Sequence, residues 1–555
     1  MNIPVIFGKS GSIPIAIVLL IAFLLNSCDP VTSTLTDTTP TPWILVTSLP
    51  PVSTTSVNDV LPVPTATATT TPQPTAAPVV FGPNQEDFPP DVNPLTGLAV
   101  ADPSLLKQPA LLISIPHFPP EARPQAGLSF SPWVFEYMIA EGSSRFLAAF
   151  YGQFPFQEDP ETGGCDIRTE PFVQTGLILG NRVWLDKNTD GIQQSYEPGV
   201  GGVCINLYDP DDHLVQSTAT DSNGYYGFNV VMNAAYRIEF VKPEGMSFTL
   251  QNIGNENLDS DANPVSGVTD LVTITDDNRL QDAGLLLSDT ATPVANEEPA
   301  AGQVGPVRSA RLVNIHIHDF FQDSCLIFAG STYEIRDKVP PCALVFEEGD
   351  GGVGSMLDIS RMIKISEENG ARRGSDFDYA NNVFSDQVPS GGQPVTQIDV
   401  FFSQLNQSRW VYDPLYQGWL RYVDNTNKDT VFHVDTDQLT GRQLFFENVI
   451  ILFAEHEVIE PTIIDIYLQQ GERGDGLLFR DGQVLKLKWS TRAGEYEKKT
   501  GFRRPIALLD ENDNPLPLSP GHTWILIVTP FSDVSEKTLG VWRLRFYPPP
   551  GTGLY

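Results

Sequence analysis

The chain has 555 residues, 34 Lys+Arg against 68 Asp+Glu, and a formal net charge of −34, too long for one domain and too acidic for a phosphate backbone or an anionic lipid surface to hold it by charge. Hydrophobic residues at 41% and aromatics at 10% supply real cores and exclude disorder throughout. With 47 Pro and 44 Gly but only 18% charged residues, the composition favours β-rich domains joined by linkers over helical bundles.

An apolar run from Ile13 to Leu25, containing Pro14 and preceded by Lys9, is shorter than the roughly 20 residues a spanning helix needs and suits a signal-peptide core. It ends Leu25-Asn26-Ser27-Cys28, which resembles a bacterial lipobox with Cys28 as the lipid attachment site. No other stretch is long and apolar enough to span a bilayer. The expected protein is therefore extracytoplasmic and held to the membrane by lipid, on the cell surface or the periplasmic face. Residues 30–78 carry fifteen Thr and ten Pro with Asp37 and Asp59 as the only charges, a composition that buries no core and stays extended. The reading is a signal peptide over 1–28 and a tether over 29–83.

Setting Cys28 aside leaves Cys165, Cys204, Cys325 and Cys342, an even set with three connectivities that fits an oxidising compartment. The preferred pairs are Cys325 with Cys342 and Cys165 with Cys204; four unpaired thiols are the alternative.

From residue 84 the chain carries Asn93-Pro94-Leu95-Thr96-Gly97-Leu98, Arg123-Pro124-Gln125-Ala126-Gly127-Leu128, Val134-Phe135-Glu136-Tyr137 and Glu141-Gly142-Ser143-Ser144-Arg145-Phe146-Leu147, then Gly305-Pro306-Val307-Arg308-Ser309-Ala310-Arg311. In this order they resemble the DUF3048 (YerB-like) family of bacterial lipoproteins, in which the last motif normally follows closely. Phe479-Arg480-Asp481-Gly482 and Pro520-Gly521-His522-Thr523-Trp524 extend the resemblance into an all-β second half. The resemblance implies an architecture and no reaction. It places an N-terminal domain over 84–151 plus 303–400 and a C-terminal β domain over 401–535. The patterning adds a strand over Ala110–Ile115, a helix over Ser131–Ala140 and a strand over Arg145–Tyr151, hence an α/β first half. Asp481-Gly482 between apolar runs predicts a tight hairpin.

Between the halves, Gly180-Asn181-Arg182-Val183-Trp184-Leu185-Asp186, Asp221-Ser222-Asn223-Gly224-Tyr225-Tyr226 and Asp282-Ala283-Gly284-Leu285 resemble the SdrD B-like repeat of surface adhesins, a calcium-binding β-sandwich. The expectation over 172–288 is thus an Ig-like sandwich inserted at a loop tip, with linkers over 158–166 and 288–302. The whole reads as a multidomain chain: α/β, interrupted by a sandwich, then mainly β.

Asp186-x-Asn188-x-Asp190-Gly191-x5-Glu197 follows the twelve-residue calcium-loop spacing. It offers oxygens at positions 1, 3, 5 and 12, the Ile192 carbonyl at 7 and a glycine at the sharp turn. Residues 171–288 hold 16 acids and 5 bases. Further calcium ligands are sought among Asp221, Asp259, Asp261 and Asp282, with Asp209, Asp211, Asp212 and Asn263 as additional candidates; an exposed turn residue explains each equally well. His316 and His318, read as alternating on a strand, offer a thin case for a catalytic metal, and the glycine run 349–354 lacks the lysine of a phosphate loop. Glu136, Glu141, Arg145, Arg308 and Arg311 could converge, either as a buried ion-pair network or as carboxylates for acid–base work.

The function these residues point to is an envelope binding or structural module with Ca2+ as its cofactor. Its partners would be the membrane through lipid, an envelope polymer or a surface protein, and no nucleic acid. The alternative is a hydrolase acting on a cell-wall or saccharide polymer through Glu136 or Glu141.

Overall fold

A computed structural model describes residues 84–550 and 552, except 140–141, 289–301, 339–342, 347–354, 375, 425–430, 461–462 and 502. Cys28, the signal peptide, the tether, Glu141, Cys342 and the glycine run 349–354 lie outside the described residues.

Three apolar segments start the molecule: β1 (Leu111–Pro116), β2 (Trp133–Met138) and β3 (Ser144–Phe150), each buried along its whole length. Such continuous runs form strands covered on both faces. They join an eleven-stranded sheet that runs from Ala343–Phe346 through Cys325–Ala329, β1, β3, β2, Thr523–Val528, Asn448–Phe453, Arg473–Arg480 and Gln483–Ser490 to Gln393–Pro394, with Ala507–Leu509 also paired to Gln483–Ser490. β2 pairs in parallel with Thr523–Val528, Glu136 opposite Leu526. The sheet therefore crosses the boundary expected between the two halves, and the division at 400/401 falls inside the strand Gln397–Ser403. That strand belongs to a seven-stranded sheet which also takes in Asn406–Asp413, Gly418–Asp424 and Val541–Arg545. The C-terminal region thus extends beyond residue 535.

One core, with Val134, Phe146, Trp410, Trp419, Trp524 and Leu544, lies on one face of the large sheet. Another, with Trp133, Phe135, Tyr137, Leu147, Val313 and Phe321, lies on the other.

The expected α/β first half is corrected: the molecule is mostly β, and the segment expected as a helix over 131–140 contains β2. Trp133, Phe135 and Tyr137 serve one core while Val134 and Met138 serve the other, so burial on both faces removed the alternation that marks a strand. The opposite error occurs at His316 and His318, which sit on the helix α1 (Leu312–His318) rather than a strand. Two positions apart on a helix is roughly 200° of rotation. His316 Nε2 contacts Asp465 Oδ1 at 2.9 Å and His318 Nε2 contacts the Ser324 carbonyl at 3.1 Å, so the two rings do not share a ligand position. The longest helix among the described residues, Ile359–Arg373, carries no expectation from sequence.

Asp481 and Gly482 make the expected hairpin, with φ +48° and +67° and Arg480 paired with Gln483, the left-handed pair a two-residue turn demands. Among the described residues no helix is long and apolar enough to cross a membrane.

The insert is a sandwich. Cys204–Tyr208, Leu214–Ala219, Ala235–Phe240 and Val272–Thr273 form one sheet, and Val183–Leu185, Met246–Phe248 and Ala283–Leu287 another. Alternating burial along Ala235–Phe240 directs Tyr236, Ile238 and Phe240 into a core with Val183, Ile205 and Leu285, as a half-covered strand requires.

Candidate functional site

The calcium-loop sequence leaves strand Val183–Leu185 and folds back on itself. Asp186 and Glu197, its first and last acids, are 3% and 1% exposed. Asp186 Oδ1 accepts from the Thr189 N–H at 2.7 Å, and Oδ2 accepts from the Gly191 N–H at 2.9 Å and the Thr249 hydroxyl at 2.6 Å. The turn requires left-handed backbone at Gly191, φ +79°, where a side chain is strained. Glu197 accepts from the N–H groups of Lys187 and Gln194 at 2.8 and 3.1 Å. Asp190, half-buried, accepts from the Ile192 N–H and from Gln194 Nε2 and Asn188 Nδ2, each at 2.8 Å.

Burial pushes the Glu197 carboxyl up, and the Asp186 charge adds to it. At Asp190 burial acts in the same sense but is outweighed by the three hydrogen bonds, which hold the group below its usual range. Among the described residues no Lys or Arg forms an ion pair with Asp186, Asp190 or Glu197. The donor set is all oxygen, which suits calcium. The three carboxylates do not bring their oxygens within 4.8 Å of one another; the loop's own N–H groups hold them instead.

A second acidic group packs nearby. Asp259, Asp261 and Asp282 are all buried. The Asp282 N–H donates to Asp261 Oδ2 at 2.8 Å, Asp282 Oδ1 accepts from the Arg182 N–H at 2.7 Å, and Asp259 Oδ1 is buried with no hydrogen-bond partner among the described residues. Burial, reinforced by the Asp259 and Glu256 charges, pushes Asp261 up to about 7, and burial pushes Asp282 well above the carboxylate range.

Asp221 serves a different purpose. It pairs with Arg168 at 2.8 Å, and Arg168 reaches Asp413 at 4.0 Å. Asp209, Asp211 and His213 do bring their ligand atoms together, but at the surface.

The charged residues of the flanking motifs separate across the large sheet. On β2 and β3, Tyr137 lies opposite Arg145 and Glu136 opposite Phe146, so Glu136 and Arg145 face opposite cores. Glu136 is fully buried; it accepts from the Ser144 hydroxyl at 2.7 Å and from Trp524 Nε1 at 3.0 Å, with Arg421 Nη2 at 3.9 Å. Arg421, whose role the sequence did not signal, is also buried and pairs with Asp435. With both oxygens engaged inside the core, Glu136 is not placed to meet a polymer. Arg145, Arg308 and Arg311 gather on the other face, without Glu136.

Residues 177–285 match the model of the SdrD B-like domain, and residues 398–525 match that of the DUF3048 C-terminal domain, from a protein of unknown function. The chain thus carries one region similar to the SdrD B-like domain and one similar to the DUF3048 C-terminal domain.

Among curated proteins it is similar to serine-aspartate repeat-containing protein F of Staphylococcus epidermidis, 42% identical over 98 residues, 18% of this chain and 6% of that protein. The fibrinogen-binding protein of Staphylococcus epidermidis is 41% identical over 106 residues, 19% of this chain and 9% of that protein. Serine-aspartate repeat-containing protein D of Staphylococcus aureus strain Newman is 40% identical over 91 residues, 16% of this chain and 7% of that protein. The chain spans less than a tenth of the length of these relatives. Among solved structures, the YerB protein from Bacillus subtilis aligns with a TM-score of 0.43 and 17% identity, over 79% of this chain and 96% of that one.

The SdrD B-like domain is seated on the DUF3048 region. Residues 158–166, expected as a linker, are instead a packed strap. Glu158 pairs with Arg442 at 2.6 Å, the Gly163 N–H donates to the Gly201 carbonyl at 2.8 Å, and Cys165 is disulfide-bonded to Cys204 with Cα atoms 5.5 Å apart. Cys325 is also disulfide-bonded. Along the seam lies a cavity of 240 Å³ lined by Glu197, Tyr196 and Arg182 of the insert and by Arg442, Glu447 and His522 of the host. Glu447 accepts from the His522 N–H at 2.6 Å. Burial pushes the Glu447 carboxyl up to about 7 and the His522 ring down to about 4. Arg182, Glu197 and His522 lie in motifs the sequence displays, whereas Glu447 and Arg442 carry no sequence signal.

Proposed function

We propose that this protein is a lipid-anchored, extracytoplasmic envelope protein that acts as a binding and structural module, its SdrD B-like domain stiffened by calcium. The observation that carries the reading is the loop from Asp186 to Glu197, whose two end acids are buried without a cationic partner among the described residues. Bringing such carboxylates together is unfavourable until a cation joins them. Asp186, Asn188, Asp190, Glu197 and the Ile192 carbonyl would hold the ion, and Asp259, Asp261 and Asp282 would hold a second. Calcium supplies rigidity here and no chemistry. Lipid on Cys28 and the Thr/Pro tether would hold the module away from the bilayer. One similar protein is named for binding fibrinogen; for this chain the proposed partner is a surface protein or an envelope polymer.

Calcium that binds only the folded state adds RT ln(1 + [L]/Kd), about 2.7 kcal/mol at a hundredfold excess. The insert should melt several degrees higher in millimolar calcium than in chelator, magnesium substituting poorly, and Asp186→Ala with Glu197→Ala should abolish the gain. Equal midpoints in calcium and chelator for the wild type would refute the calcium role.

A further inference from the structure

Three arginines gather at one end of the central sheet, near enough for their charges to act on one another. Arg145 lies opposite Pro116, the last residue of β1, and opposite Tyr137, near the end of β2. The segment Arg308–Arg311 crosses the same end. The Arg308 N–H donates to the Ser114 carbonyl at 2.8 Å, the Ser114 hydroxyl donates to the Ser309 carbonyl at 3.1 Å, and the Ala329 N–H donates to the Arg308 carbonyl at 2.9 Å. β1 and Cys325–Ala329 are parallel, and β2, antiparallel to β3 as β1 is, runs the same way.

Among the described residues the charge at this end of the sheet has no counterion. Arg145 is 5% exposed, yet among the described residues its Nε and Nη1 have no hydrogen-bond partner. Arg311 spends Nη1 on Ser309 Oγ at 2.7 Å and the Ala310 carbonyl at 2.9 Å, leaving Nε buried and unpartnered. Among the described residues no carboxylate forms an ion pair with Arg145, Arg308 or Arg311. Burial, then the Arg311 and Arg308 charges, push the Arg145 guanidinium down to about 9. An unpaired cation inside a protein is strongly unfavourable, and this chain, at net −34, has carboxylates to spare elsewhere. Tyr137 adds a polar group: its hydroxyl accepts from Asn314 Nδ2 at 2.5 Å and keeps its own proton to donate.

We propose that Arg145, Arg308 and Arg311 form a binding site for a phosphate group, borne on an envelope polymer as a phosphodiester or free as a small ion. Guanidinium forks match the oxygens of phosphate. A single carboxylate would satisfy one fork and leave the other two cations facing each other, whereas phosphate offers several acceptors and more charge.

The test is titration calorimetry and thermal melting of the full chain at constant ionic strength set with chloride. Inorganic phosphate and a glycerol-phosphate oligomer are each added at equal phosphate concentration. The wild type should bind and its midpoint should rise. Arg308→Gln with Arg311→Gln, both half-buried positions where folding should survive, should weaken binding at least tenfold. Arg145→Met should melt no lower than wild type in chloride, because it removes an unpaired buried charge, and should gain nothing from phosphate. Tighter binding of the oligomer per phosphate would assign the polymer, and equal binding the small ion. Failure of both probes to bind the wild type, or the same midpoint gain in the double variant, would overturn the site.

Discussion

The ring of Tyr225 in the SdrD B-like insert stacks on Tyr416 of the host, centroids 4.0 Å apart and planes 27° from parallel. Beside it, Asn223 Nδ2 donates to the Tyr416 hydroxyl at 2.6 Å, and Arg279 Nε donates to the Pro414 carbonyl at 3.1 Å. A domain inserted at an exposed loop tip needs no such contacts. This one has a built seam, so its stability and its host's are coupled.

Tyr416→Ala should therefore destabilise the full chain by about 3 kcal/mol, the range for removing a buried aromatic side chain. Tyr416→Phe, which loses the bond from Asn223 and the hydroxyl's bond to the Asp221 carboxylate, should cost about 1–2 kcal/mol. Replacing 172–288 by a short flexible linker bares Leu415 and Tyr416, both buried now, and should lower the host's midpoint in denaturant melts. A host that melts unchanged would mean that the seam contributes nothing.

The acidic group of the insert predicts a pH dependence with a definite sign. The folded-state values of Asp261 and Asp282 are raised above the unfolded carboxylate value of 3.8. The folded protein then holds more protons than the unfolded chain, so stability is greatest below that value and falls as pH rises. In chelator the insert should lose stability from about pH 4 to about pH 7, the latter set by Asp261. Asp261→Asn should flatten the slope. Calcium, which competes with protons for the same oxygens, should shrink it in the wild type. A midpoint flat with pH in chelator would contradict the burial assigned to these groups.

Glu136 tests the distinction between a core network and a catalytic carboxylate. Glu136→Ala strips Ser144, Trp524 and Arg421 of a shared partner inside the core, and each orphaned buried group costs about 1–3 kcal/mol. The variant should be destabilised by roughly 3 kcal/mol in urea titrations, with Glu136→Gln recovering much of the loss because an amide oxygen and the shape remain. Unchanged stability with loss of a hydrolytic turnover on envelope polymer would instead favour the enzyme.

Cys28→Ser should move the protein from the detergent phase to the aqueous phase in a partition assay. A variant that remains with the detergent would refute lipid on Cys28 as the anchor.

What the sequence determined is what lies within a dozen residues. The spacing from Asp186 to Glu197 encodes a loop whose glycine and acids occupy fixed offsets, and it folds as one. Asp481-Gly482 encodes a hairpin because two consecutive left-handed residues suit few other turns. The alternation of Ala235–Phe240 survived because only one of its faces is covered.

Tertiary structure decided the rest. Trp133–Met138 is a strand covered on both edges, by β3 just after it and by Thr523–Val528, nearly four hundred residues away. That Glu136 pairs with Arg421 while Arg145 joins Arg308 and Arg311 follows from pleat and register, which place successive side chains on opposite faces of a sheet. A one-residue change of register would exchange them. Local chemistry is written in neighbouring residues, but which charges share a core is fixed only when distant strands pair.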